Sequence, residues 1–351
     1  MDFLVPRYFA GFKCKMGDCR SACCVGWPVT VSMKNYFTLL GLPCRKELRD
    51  RLDCALRVLD RPTEEEYARF SPNWLGDCPM RMEDGRCSIH AELGEEVLSD
   101  VCRLYPRGVR LWNGRYECSA SNSCEKTLEL LWDEADPMTF SVRDLPVTPP
   151  PYPGSPTPTE GVPMTEEFRF SLIGAMQDRT RTVRERLGDL RTLMDCGPME
   201  GKGNALETAL RMTAYYADRS ESIREAGETV LERWRDHPAQ VRKDAEDFAN
   251  RFPDWERFWE QMLVNHMFFT QFPYGGIARE DAWNSLAAVY GLTRILAVGT
   301  LAGKDPGGAE ADRCALADVL ASAFRLIAHT PFERSVGAAL GDGYAADLLL
   351  L

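Results

Sequence analysis

Apolar residues recur at helical spacing through most of the chain beyond residue 165, whereas the first 140 residues show only short periodic stretches. Thr165 followed by Glu166 and Glu167 has the chemistry of a capped helix start, and Cys196-Gly197-Pro198 has that of a stop. That spacing predicts one long helix between them. Further helices are expected at 204–235, 239–250, 254–271, 280–302, 310–328 and 332–340, with Gly, Pro or Asp/Asn between most of them. In the first part, helices are expected over Asp50–Leu59, with Leu52, Ala55, Leu56 and Leu59 on one face, over Ala91–Leu104, and over Ser123–Glu134. The segments WPVTVS (27–32) and RGVRLWNGRYEC (107–118) alternate enough for short strands, and Asn113-Gly114 marks a hairpin turn in the second.

The sharpest punctuation is LPVTPPPYPGSPTPTEGVP, residues 145–163, whose prolines remove backbone donors and block helix. The expected organisation is a cysteine-rich domain over 1–140, a proline-rich linker over 141–164 and a helical domain over 165–351. The fold class is mainly α: a loop-rich cysteine or metal domain with short helices and a small hairpin, then an all-helical domain. No internal repeat of fixed period is present.

Composition narrows the partners. The net charge is −11, about −3 of it in residues 1–140, which hold 19 basic and 22 acidic side chains. An acidic chain without a basic block is a poor nucleic-acid binder, so a protein or small-molecule partner is expected. No stretch is apolar enough to span a membrane, and the N-terminus lacks the pattern of a signal peptide. The expectation is a cytoplasmic chain whose thiols are reduced and therefore serve as ligands or buried groups rather than as a disulfide framework.

Cysteine carries the chemistry. Of 13 cysteines, Cys14, Cys19, Cys23 and Cys24 crowd into one short stretch, and Cys78, Cys87, Cys102, Cys118 and Cys124 follow. Thiolates are soft ligands, and short spacings place several sulfurs around one point with little loop-closure cost. Cys14, Cys19, Cys23, Cys24, Cys78, Cys87, Cys102 and Cys124 form the candidate ligand set, and Cys118 is left unassigned. Cys44, Cys54, Cys196 and Cys314 read as core residues. The spacings are too long and irregular for a zinc ribbon, whereas a [4Fe–4S] cluster accepts looser spacing. Cys19 and Cys23 lack the third cysteine of a radical-cluster motif, since Gly26 stands there. His90, three positions after Cys87, is a packed or hydrogen-bonded histidine before it is a ligand.

Taken together, the residues resemble the flagellin lysine N-methylase family, whose cysteine-rich domain is related to zinc- or iron-chelating proteins. The resemblance runs through Pro6-Arg7-Tyr8, Phe12-Lys13-Cys14, Cys19 with Cys23-Cys24-Val25-Gly26-Trp27, Cys78-Pro79, Cys87-Ser88-Ile89-His90, Leu93-Gly94-Glu95, Leu98-Ser99, Cys102, Tyr105-Pro106-Arg107 and Ser123-Cys124-Glu125. In the helical part it touches Glu185-Arg186-Leu187, Asn265, Phe272-Pro273, Tyr290, Arg294 and His329. It implies methyl transfer from S-adenosylmethionine to lysine side chains of a flagellin-like protein, with an iron–sulfur cluster or zinc bound.

Such chemistry sets requirements. Only the neutral form of a lysine amine, whose pKa is about 10.4, attacks a methyl sulfonium, so the site must desolvate the amine or offer a base. Tyr105, Glu95 and Asp100 are candidate catalytic groups, with Glu117 a further acid. Aromatic faces stabilise a sulfonium; Trp27, Trp74, Tyr105 and Trp112 are candidates, and Arg103 and Arg107 could hold a carboxylate or cluster charge. No strand–helix alternation with a glycine-rich turn is present, so a doubly wound cofactor site is not expected. Gly341-Asp342-Gly343 is an isolated loop signal. The alternative is a zinc- or iron-chelating structural protein that binds a partner without catalysis, and a redox sensor is a third reading.

Overall fold

The structure, a computed structural model, describes all residues except 16, 21–28, 75, 151–152, 200, 202 and 351. Among the described residues the fold is mainly helical, with two small sheets. The chain forms two compact units: one of 1–12 and 109–351, the other of 13–108.

The larger unit opens with β1 (Asp2–Pro6) and a short 3-10 turn over Arg7–Gly11. The chain then builds the smaller unit. There, β2 (Thr30–Val31), β3 (Leu56–Val58) and β4 (Ala68–Phe70) make an antiparallel sheet in the order β2-β4-β3. Around it lie α1 (Met33–Leu40), α2 (Lys46–Ala55), α3 (Ser88–Leu93) and α4 (Asp100–Leu104). Its core gathers Val31, Leu39, Leu48, Leu52, Phe70, Met80 and Ile89.

Two expected helices differ here. The helix expected over 50–59 starts at Lys46 and stops at Ala55, because Leu56–Val58 pairs with β4. The helix expected over 91–104 is broken: Gly94 sits at φ 88°, a 3-10 turn follows at Glu95–Val97, and α4 restarts at Asp100. A left-handed residue ends a helix, and glycine adopts it without strain.

Back in the larger unit, β5 (Arg107–Trp112) and β6 (Arg115–Ala120) are joined by Asn113 and Gly114, both at positive φ, as a two-residue hairpin turn requires. Next come α5 (Glu125–Asp133) and β7 (Phe140–Asp144). The sheet order is β5-β6-β1-β7, with β1 parallel to β6 (Phe3 opposite Tyr116) and antiparallel to β7 (Val5 opposite Ser141). These pairings, between segments more than a hundred residues apart, place 109–144 with the helices rather than with the cysteine-rich segment. The compact units therefore do not divide at the proline-rich segment. That segment is extended, as its composition requires, but it is fastened along the larger unit: Leu111 N donates to Gly154 O (2.8 Å), Thr157 N to Tyr274 O (2.9 Å) and the Thr159 hydroxyl to Pro273 O (2.6 Å).

The helices are α6 (Glu166–Met176), α7 (Val183–Leu193), α8 (Ala205–Arg219), α9 (Arg224–Arg235), α10 (Gln240–Arg251), α11 (Trp255–Phe269), α12 (Arg279–Leu301), α13 (Ala309–His329) and α14 (Phe332–Leu340), closed by a 3-10 turn at Ala345–Leu350. Thr165 caps α6 by accepting from Phe168 N. The single helix expected from Thr165 to residue 196 is instead two, because Thr182 and Glu185 form a reciprocal capping box that starts α7. The helix expected over 204–235 is likewise α8 and α9, parted at Ser220 by a 3-10 turn. Helices α11 and α12 are buried along most of their length, α12 from Ala282 almost without interruption to Leu301. A helix apolar on all sides is a core helix. Among the described residues, no helix is long and apolar enough to cross a membrane.

Candidate functional site

In the smaller unit, two cysteine-bearing loops meet through their backbones. Cys14 and Cys19 flank Gly17, which sits at φ 118°. Gly85, at φ 83°, lies so close that a Cβ on it would stand 2.6 Å from Gly17 O, and a Cβ on Gly17 would stand 3.0 Å from Arg86 N. Only glycine allows that approach. The second loop is a tight turn: Arg81 and Cys87 form an antiparallel bridge, Met82 N donates to Arg86 O (2.8 Å) and Arg81 N to Cys78 O (2.9 Å). Cys78 and Cys87 are thereby fixed at the two ends of one turn, half-buried against the core of the unit. Cys19 is half-buried and Cys14 exposed.

The rest of the expected ligand set is spread more widely. Cys102 is exposed on α4. Cys124 belongs to the larger unit, where it stands at the N-terminal boundary of α5 without a side-chain capping bond. Cys23, Cys24 and Trp27 lie outside the described residues. Among the described residues, no group of three or more His, Cys, Asp or Glu side chains is placed to hold a metal ion. The described thiols therefore do not make a metal site by themselves. Of the four cysteines read as core, none is fully buried, and Cys54 is exposed on α2 where its helix faces water. Among the described residues the fully buried thiol is Cys118, inside β6.

The remaining candidates have definite places. Glu95 is exposed in its 3-10 turn. Asp100 pairs with Arg103 at 3.1 Å, three positions on, and its backbone N–H is capped by the Asn35 side chain (3.1 Å). Tyr105 precedes a cis peptide to Pro106 and is half-buried; Arg107 donates to Arg103 O (3.4 Å). Trp74 is 91% exposed. Trp112 and Glu117, in the larger unit, are structural: Glu117 receives the Arg169 guanidinium at 2.8 Å, and that guanidinium also lies over the Trp112 ring.

In the larger unit, several residues that carry the family resemblance converge on the segment between β6 and α5. The Tyr8 hydroxyl donates to Asn265 Oδ1 (2.7 Å) and accepts from Ala120 N (3.0 Å). Asn265 Nδ2 donates to Ala120 O (2.8 Å) and Asn122 Oδ1 (2.7 Å), while Asn122 donates to Met262 O (2.9 Å). Ser121 and Ser123 share a 2.8 Å hydrogen bond, and Ser123 meets His329 Nε2 at 3.1 Å. Burial pushes the Tyr8 phenol far above its usual range, so it remains a hydrogen-bond donor at any ordinary pH. This network fixes the backbone leading into Cys124. Elsewhere, Glu185 completes its cap, Arg186 pairs with buried Glu260 (2.8 Å) and Arg294 stacks over Trp255 at 3.8 Å. Ser121 and Asn122 escaped sequence reasoning, because nothing in their local pattern shows that they face α11.

The resemblance read from the motifs is borne out by curated proteins. Over 144 residues, 40% of this chain, it is 25% identical to the lysine-N-methylases of Salmonella typhimurium and Salmonella choleraesuis, and the aligned segment covers 35% of the length of each. It is also 25% identical over 142 residues to the flagellar biosynthetic protein FliU of Salmonella muenchen, covering 81% of that protein. The chain thus matches about a third of the length of the two lysine-N-methylases. No family model matches the chain. No solved structure matches it either.

Proposed function

We propose that this chain is a protein-lysine N-methyltransferase that takes its methyl group from S-adenosylmethionine and acts on a flagellin-like protein. The observation that supports it is the similarity to two proteins named lysine-N-methylase, and the name of a third relative points to flagella. The convergence of Tyr8, Ser123, Asn265 and His329, all quoted for the resemblance, is consistent with a family-like fold around Cys124.

S-adenosylmethionine, when bound, supplies an electrophilic methyl carbon on a cationic sulfur. The chain must take a proton from the lysine ammonium before attack. Asp100 and Glu117 are engaged by Arg103 and Arg169. Glu95 is exposed in its 3-10 turn, whereas burial, with Arg325 nearby, lowers the pKa of the His329 imidazole to about 4, which leaves it neutral at pH 7 but a weak base. Cys14, Cys19, Cys78 and Cys87, on loops in backbone contact, are the described thiols that would hold an iron–sulfur cluster or zinc, with Cys23 and Cys24 as the further donors such a site needs. Since the described donors do not form a site alone, no step is assigned to the metal.

The test is methyl transfer from labelled S-adenosylmethionine to a flagellin, read as methyl-lysine by mass spectrometry. Methyl-lysine that forms only with the chain present supports the function. Its absence with fully loaded, folded protein removes it. The second reading, metal-dependent folding without catalysis, is favoured by the tight Gly17–Gly85 contact; it requires that chelation unfold the smaller unit.

A further inference from the structure

The larger unit contains a cavity of about 450 Å³ between the end of α7, the first turns of α12 and the end of α14. That volume is in the range of small-molecule sites, roughly 300–1,000 Å³. Its wall is built around Arg191. This side chain is 8% exposed, lies over the buried Trp283 indole with 4.6 Å to the ring centre, and is aimed by backbone carbonyls: Nε donates to Pro198 O (3.1 Å) and Nη2 to Cys196 O (3.0 Å). Nη2 also meets the Glu280 carboxylate at 2.9 Å. Among the described residues Nη1 makes no hydrogen bond, so a fixed, desolvated guanidinium keeps donors in hand on a residue that lines the cavity. Glu280 is 60% exposed and spends one carboxylate oxygen on Arg191, leaving the other to accept.

The opposite wall is the Gly341–Tyr344 loop. Gly341 ends α14 at φ 55°, and a Cβ on Gly343 would stand 2.6 Å from Thr208 Oγ1, so glycine is what lets this loop lie back and leave the space open. Tyr344 is at the rim and Leu340 supplies apolar surface. Asn284, half-buried on the lining, makes no side-chain hydrogen bond among the described residues. Cys196 also lines the space, and burial raises its thiol above the usual range, which keeps it protonated and unsuited to covalent attack.

A cation and an anion held side by side, with one free donor edge and one free acceptor edge, match a carboxylate and an ammonium on the same carbon. We propose that this cavity binds a ligand bearing an α-amino-acid zwitterion, with Arg191 taking the carboxylate and Glu280 the ammonium. A free amino acid and the methionyl end of S-adenosylmethionine share this chemistry; the second source rests on the proposed function.

The experiment titrates the full-length protein with S-adenosylmethionine, S-adenosylhomocysteine, free methionine and adenosine, following heat and tryptophan fluorescence. Saturable binding of at least one zwitterion, none of adenosine, and weakening by roughly tenfold or more in Arg191→Gln support the site. Glu280→Gln, which keeps a carbonyl to accept from Arg191 on a largely exposed side chain, should weaken it in the same direction. The site is overturned if no zwitterion binds, or if both variants, folded by circular dichroism, bind as the unaltered protein does. Binding of free methionine equal to that of S-adenosylmethionine assigns the free amino acid. Methyl transfer is measured in parallel. Transfer that both variants keep, with unchanged binding, overturns this site and leaves the methylase reading standing; zwitterion binding that the variants lose, without any transfer, does the reverse.

Discussion

Tyr8 and Asn265, 257 positions apart, share a 2.7 Å hydrogen bond in the interior of the larger unit. Through it the turn after β1 is tied to α11, and the same two side chains take up the backbone N–H and C=O of Ala120 at the end of β6. Removing the hydroxyl leaves two buried groups short of a partner. Tyr8→Phe should therefore cost roughly 1–3 kcal/mol, measured by urea denaturation. A loss within error would show that water replaces the hydroxyl.

The Glu117–Arg169 pair is closed to solvent on both sides. Arg169→Met removes the closest cation from a buried carboxylate, whose partners among the described residues are then Gln271 Nε2 at 3.2 Å and Arg115 at 3.8 Å. The expected loss is roughly 3–5 kcal/mol. Adding Glu117→Gln should restore much of it, because the uncompensated charge is gone. A double variant as unstable as the sum of the singles would contradict the coupling.

Acid should destabilise the larger unit before its carboxylates titrate. Burial drops the pKa of His266 to about 4 from the ordinary 6.5. The unfolded chain then binds a proton in this window that the folded chain refuses, so the His266 contribution is complete above about pH 6.5 and declines as pH falls toward 4. Between pH 6.5 and 5 the loss is roughly 2 kcal/mol. The pKa of His329 is lowered to about 4 as well and acts over the same window, so His266→Gln should remove about half of the slope there, and an unchanged slope would count against a buried neutral imidazole.

Gly85→Ala tests the meeting of the cysteine loops. The added Cβ clashes with Gly17 O on a backbone at φ 83°. The variant should lower the melting temperature, speed the reaction of Cys87 with a thiol reagent and, under the metal reading proposed above, lower the metal content as well. Wild-type metal content in a folded variant would separate metal binding from this contact.

Much of the helical architecture could be read from the chain, because α11 to α14 bury apolar faces between Gly, Pro and Asp/Asn punctuation. The expected 280–302 and the observed Arg279–Leu301 differ by one residue at each end. The breaks within 165–196 and 204–235 are written in side-chain capping at Thr182 and in the 3-10 turn after Ser220, which apolar spacing does not report. β1 escaped notice because DFLVP is a short apolar run without alternation and its partners are far along the chain. The hairpin was legible because Asn113-Gly114 is a local signal. Site residues divide the same way. Cysteine spacing is visible in sequence, but the Gly17–Gly85 approach is not. Arg191, Glu280 and Trp283 come together only through tertiary packing of α7 against α12.

Lysine methylation itself remains the most direct test. Protein purified without oxygen, analysed for iron, sulfide and zinc, is incubated with methyl-labelled S-adenosylmethionine and flagellin, and the flagellin lysines are mapped by mass spectrometry. Label on lysine ε-amines, absent without the chain and diminished in Cys87→Ser, is the expected result. Folded, metal-loaded protein that leaves every lysine unlabelled across the pH range would contradict it.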